Sequence, residues 1–261
     1  MDTTLRENEN IAKLIKEIEN LEKDFSEILL TKKNIENELY MFKLDYDWRI
    51  APFYLEKLKI DAQINEILKK RWIPLDRFED DTSYIPEIID EEEFESQKEY
   101  FENQNTQREK IEETTKNITE DDLLELKKLY KKLAMKFHPD KFASQPEKQP
   151  RAVELMQKIN EAFQEKNLEK LQQIEAEWFD LQDSDNEVDE DVLFNKKYNL
   201  ERNIESIKIE IEQLQKAGIY TLYATYLREW EESFYKQIIE ATKKDIEEAS
   251  KLLSILAEMP I

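Results

Sequence analysis

The sequence predicts an all-α protein in which elongated helical hairpins or coiled coil flank a small antiparallel helix pair. Three observations carry that prediction. Gly218 is the only glycine among 261 residues, so few turns that need a positive φ can form, and hairpin-rich folds are disfavoured. Charged residues make up 38% and hydrophobic ones 39%. That is too much charge for one thick core, but it leaves enough apolar side chains for long helices with narrow buried seams. The apolar residues then recur at alternating steps of three and four, the spacing of a helix that buries one stripe.

The first element, residues 1–73, is expected to be a coiled-coil region, either a helical hairpin or one long bent helix. Its seam is Ile11, Leu14, Ile18, Leu21, Phe25, Ile28, Ile35, Leu39 and Phe42, with one position missed at Lys32. Pro52 is expected to bend this helix or to start a second one, which continues through Leu55, Leu58, Ala62, Ile64, Ile67 and Leu68 to Trp72. Residues 74–118 form an acidic linker with a possible helix. Pro74 and Pro86 break the pattern, and Phe94, Tyr100, Phe101 and Ile111 are sparse apolar anchors in the charged stretch that follows.

The third element, residues 119–179, carries the strongest local signals. Thr119 is placed to cap a helix whose first turn is acidic. Leu123, Leu126, Tyr130, Leu133 and Phe137 share one face of it, with Lys127, Lys128, Lys131, Lys132 and Lys136 away from that face. Pro139 ends the helix, and a loop containing Pro146 and Pro150 follows. A second helix aligns Ala152, Leu155, Ile159, Ala162 and Phe163. Asn167 is placed to cap a short third one through Leu168, Leu171, Ile174 and Trp178.

Residues 180–191 are a second acidic linker. They lack the glycine and terminal glutamate of a calcium-binding loop. Residues 192–261 are expected to form a C-terminal hairpin. One arm carries Leu200, Ile204, Ile207, Ile211 and Leu214, and Gly218 ends it in a left-handed conformation. The return helix carries Leu227, Trp230, Phe234, Ile238, Ala241, Leu252 and Leu256, and the aromatic residues Tyr220, Tyr223, Tyr226 and Trp230 read as its core rather than as a ligand cage.

Composition also limits function. A net charge of −22 repels phosphates and anionic lipid, so neither nucleic acid nor membrane is an expected partner. No cysteine is present and His138 is the single histidine. That leaves no thiol nucleophile, no disulfide framework and no two-histidine zinc site. No glycine-rich phosphate loop exists. The chain therefore reads as no enzyme, with no metal and no cofactor. Absence of cysteine fits a reducing cytoplasm. Residues 1–7 lack the apolar stretch of a signal peptide, and no run long enough to span a membrane occurs.

The informative stretch is Leu129-Tyr130-Lys131-Lys132-Leu133-Ala134-Met135-Lys136-Phe137-His138-Pro139-Asp140-Lys141. Two antiparallel helices would face Leu126, Tyr130, Leu133 and Phe137 against Leu155, Ile159, Ala162 and Phe163. The loop between them would then present an imidazole, a rigid proline and a carboxylate at a protruding tip beside an electropositive flank. Such a surface suits an acidic protein partner, with Asp140 available to an arginine of that partner.

This stretch resembles the second helix and signature loop of the J-domain, the module of DnaJ-like co-chaperones. Ile159-Asn160-Glu161-Ala162-Phe163 is similar to the family's third helix. The aromatic pattern of its first helix is not reproduced in 94–118, so the resemblance is to a truncated J-domain within a coiled-coil protein. Ile111, Trp178 or a flanking hairpin is left to cover the open face. The resemblance implies a co-chaperone that stimulates the ATPase of a DnaK-type heat-shock chaperone and directs it to an unknown protein client. It implies His138, Pro139, Asp140 and Lys141 as the partner-binding loop, with Lys127, Lys128, Lys131, Lys132 and Lys136 as the docking charges. The flanking heptads also suit a structural scaffold, including a homo-oligomer through the coiled coil, in which the J-like pair is only an adaptor.

Overall fold

A computed structural model describes residues 2–74, 84–116, 118–142, 145–177, 190–229 and 231–259. Among these residues every regular element is helical: α1 (Asp2–Arg71), α2 (Glu91–Thr115), α3 (Glu120–Phe137), α4 (Gln149–Gln164), α5 (Leu168–Glu177), α6 (Glu190–Lys216), α7 (Gly218–Arg228) and α8 (Glu231–Glu258). The all-α class is as the spacing predicted. Residues 75–83 of the first linker, most of the second linker, Trp178 and Trp230 lie outside the described residues.

The chain divides into two compact units, the first made of Met1–Leu39 with Ile111–Ala217 and the second of Tyr40–Lys110 with Gly218–Ile261. Residues 192–261, expected as one hairpin, are thus split at Gly218, with α6 in the first unit and α7 and α8 in the second.

The first unit is organised around one apolar cluster. Leu14, Ile18, Phe25 and Leu29 of α1 join Leu200, Ile204 and Ile207 of α6 and the facing residues of α3, α4 and α5. Three ion pairs fix how α1 and α6 lie. Glu17 meets Lys197 at 2.8 Å, Glu22 meets Lys196 at 3.0 Å, and Lys32 meets Glu210. From the Glu17–Lys197 pair to the Lys32–Glu210 pair both numbers rise, so the two helices run side by side in the same direction. Lys32 is the position at which the heptad seam of α1 skips an apolar residue. The gap is filled by an ion pair to α6 rather than by packing.

The second unit has two cores. Ile64 and Leu68 of α1 pack with Tyr84 and with Ala249, Leu252 and Leu256 of α8. Phe42 and Ile50 pack with Phe234 and Tyr235, with Tyr223 and Tyr226 against them. The Phe42 ring lies 5.4 Å from Tyr223 and 5.2 Å from Tyr226, so these two tyrosines pack, half-buried, against that core. A buried polar knot ties the linker to α1. Asp61, fully buried, accepts hydrogen bonds from Lys57 Nζ at 3.0 Å, Tyr84 Oη at 2.7 Å and the Glu87 amide at 3.2 Å. Burial alone would lower the Lys57 ammonium's pKa, but bonds to Glu87 and Asp61 outweigh it and raise it.

The structure decides between some expectations and corrects others. Of the two readings of residues 1–73, the single long helix holds, continuing through Pro52 to Arg71. Proline removes one backbone donor, and the packing of Phe42, Ile50, Leu58 and Ile64 on both sides of it holds the helix. The charged stretch after residue 90 is an ordered helix. Asp90 Oδ1 accepts from the Glu93 amide at 2.9 Å, and the Glu93 carboxylate accepts from the Asp90 amide at 3.2 Å, a reciprocal cap. Gly218 has no positive φ and opens α7 instead of closing α6. The return helix is two helices, and Leu227 is exposed at the end of the first.

Candidate functional site

The site is built from α3, the loop after it, α4 and α5. Thr119 caps α3. Its Oγ1 accepts from the Asp122 amide at 3.2 Å, and Asp122 Oδ2 accepts from the Thr119 amide at 2.9 Å. Hydrogen bonds from the Thr119 side chain and backbone hold the Asp122 carboxyl below its ordinary value. Leu126, Tyr130, Leu133 and Phe137 are buried on α3, and Leu155, Ile159, Ala162 and Phe163 are buried on α4, all in one cluster. The Tyr130 and Phe163 rings lie 4.3 Å apart, and Tyr130 Oη donates to Asn160 Oδ1 at 3.0 Å. Burial raises the Tyr130 phenol's pKa, which keeps it a donor.

α4 closes on a left-handed residue, Lys166 at φ 52. Lys166 N donates to Phe163 O at 3.1 Å and Asn167 N to Ala162 O at 2.9 Å, the paired bonds of a Schellman end. Asn167 Oδ1 then accepts from the Lys170 amide at 2.9 Å and starts α5. Leu171 and Ile174 of α5 complete the small core.

His138 leaves α3 in an extended conformation, φ −59 and ψ 130, as a residue before proline must. Pro139–Phe142 make one 3-10 turn, and Phe142 is buried and anchors it. Pro150 lies in the first turn of α4. The tripeptide is therefore held rigidly at both ends.

The imidazole does not protrude as expected. The His138 side chain is only 17% exposed, whereas that of Asp140 is 50% exposed. The covering group is Phe25 of α1, whose ring meets the imidazole edge-on with centroids 5.1 Å apart. Burial lowers the His138 pKa, with Asp140 opposing it and Lys32 adding to it. The Asp140 amide donates to His138 Nδ1 at 3.4 Å. A donor at Nδ1 fits a neutral ring with its proton on Nε2.

The five lysines of α3 are not equivalent. Lys127 and Lys128 are exposed. Lys131 pairs with Glu27 of α1 at 3.7 Å, and Lys132 pairs with Glu175 of α5. Lys136 is half-buried, its Nζ 5.1 Å from the Phe137 ring centroid. Lys141 is half-buried in the loop. Sequence reasoning missed Glu27, Glu210 and Asn160 as neighbours of this site. It placed Phe25 in a seam without seeing that Phe25 meets the loop. The skipped heptad position at Lys32 was the one signal available.

The family model of the DnaJ domain matches residues 106–173. The chain carries a DnaJ domain. The matched region begins within the last turns of α2, ahead of residue 119, and includes the buried Ile111. It ends inside α5. No curated protein and no solved structure matches the chain. Among the described residues no group of three or more His, Cys, Asp or Glu side chains is placed to hold a metal ion, and no described helix is long and apolar enough to cross a membrane. The DnaJ domain thus offers a fixed loop, a half-exposed carboxylate and a partly paired lysine face.

Proposed function

We propose that the chain is a co-chaperone of the DnaJ type. Its His138-Pro139-Asp140 loop and the lysines of α3 engage the ATPase of a DnaK-type chaperone and stimulate ATP hydrolysis. Its helical arms direct that chaperone to a protein client. The observation that carries this reading is the loop's position in a matched DnaJ domain, between two helices whose facing side chains are all buried. Asp140 is the half-exposed acid at the tip, suited to an arginine desolvated at the interface. The chaperone supplies the hydrolytic chemistry, and this chain supplies a docking surface.

Steady-state ATP turnover by a DnaK-type chaperone, titrated with wild type and with His138→Gln, tests it. The wild type is expected to stimulate and the variant not to. Absence of stimulation, or equal stimulation by both, removes the reading. The packing of His138 on Phe25 favours a second reading, a helical scaffold whose DnaJ domain stays closed. Equal ATP turnover with both proteins, together with an unchanged solution size after deletion of residues 119–170, supports that alternative.

A further inference from the structure

The first unit places its own α1 and α6 against the loop, and the contacts are of the kind a partner would make. Phe25 covers the imidazole, Glu27 takes Lys131, and the Lys32–Glu210 pair between α1 and α6 lies close enough to His138 to act on its charge. An acidic partner would need those same groups. Resting on the co-chaperone reading, we propose that α1, braced by α6, is a latch over the His-Pro-Asp loop that competes with the chaperone for it.

Two features fit a latch rather than a permanent wall. The apolar seam of α1 is buried at Leu14, Ile18, Phe25 and Leu29, so the closed state is stable without a partner. One position of the seam is polar. Lys32 occupies a heptad position where an apolar residue would hold the helix more tightly, a known cost in stability. The cover therefore carries one weak position, about two turns beyond Phe25. Asp140, Lys127 and Lys128 stay outside it, leaving a chaperone a first foothold before α1 moves. An equilibrium of this kind lowers apparent affinity by the fraction of open molecules.

The natural chain has no cysteine, so a tether can be placed at will. Glu27→Cys with Lys131→Cys replaces a partly exposed ion pair by two thiols, which a short bismaleimide joins. The control is the same double variant capped on both thiols with N-ethylmaleimide. Both samples lack Lys131, one of the docking charges, so both are expected to stimulate less than wild type, and the comparison between them isolates the tether. The capped protein is expected to keep part of the stimulation, and the tethered protein to need roughly 10-fold more than the capped one to reach the same rate. Phe25→Ala, checked for retained helicity by circular dichroism, is expected to lower the half-maximal concentration about 5-fold relative to wild type. Equal activity of capped and tethered protein, or, where neither is active, a Phe25→Ala half-maximal concentration no lower than that of wild type, overturns the latch and, with wild type active and His138→Gln inactive, leaves the co-chaperone reading standing. No stimulation by wild type, capped protein and Phe25→Ala alike overturns both.

Discussion

Phe25 and His138 meet edge to face, their ring centroids 5.1 Å apart and their planes at 81°. The aromatic ring of one long helix therefore shields most of the only imidazole in the chain from water. Burial is the largest influence on that group and lowers its pKa from the ordinary value near 6.5.

A single histidine gives one pair of imidazole proton resonances, so its titration is read directly by NMR. The pKa is expected below the ordinary value, and Phe25→Ala is expected to raise it towards that value. The unfolded chain takes up the proton first as the pH falls. The stability contributed by the neutral ring is thus complete above about pH 6.5 and is lost as the pH falls through the depressed folded value. A wild-type imidazole that titrates at or above the ordinary value contradicts the buried contact.

The DnaJ domain depends on a small core, so its volume changes should be felt. Leu133 and Ile159 are almost fully buried. Leu133→Ala or Ile159→Ala is expected to cost about 2–5 kcal/mol. Urea denaturation measures this, and a cost below about 1 kcal/mol would mean that the two helices do not pack as described.

Asp61 and Lys57 form the buried pair of the second unit. Lys57→Met leaves the Asp61 carboxylate, among the described residues, with the donors Tyr84 and the Glu87 amide, and is expected to cost about 3–5 kcal/mol. Pairing it with Asp61→Leu should recover much of that loss, because the uncompensated charge is then gone. Equal instability of the single and double variants would argue against the pair.

The chain's glycine and its left-handed residues do not coincide. Gly218 is helical, and a Cβ there would meet nothing within 4 Å. Gly218→Ala is expected to stabilise by about 0.5–1 kcal/mol. Lys166 sits at φ 52 in the Schellman end of α4, where Lys166→Gly is expected to stabilise by about 1 kcal/mol. Thermal melting checks both signs, and a lowered midpoint for either refutes its local geometry.

Much of this fold was legible because helices announce themselves by period. The seams of α1, α3, α4 and α6 are all visible as steps of three and four, and the caps at Thr119 and Asn167 as side chains. The Gly218 expectation failed because glycine tolerates a left-handed turn without requiring one. Pro52 left a hairpin and one long bent helix both open, because local sequence does not show the packing that carries a helix through it. The matched DnaJ region was partly hidden because Ile111 is the only buried residue of α2. Closure over His138 was not legible at all. It depends on α1 meeting a loop more than 100 positions later, and no period reports on that.

The account turns on the loop being a docking element for a DnaK-type ATPase. Single-turnover ATP hydrolysis by such a chaperone, with wild type against Asp140→Asn, tests it most directly, because Asp140 is half-exposed and its loss spares the core. The prediction is acceleration by wild type and a loss of roughly 10-fold or more in the variant. Identical rates with and without the wild-type chain would contradict it.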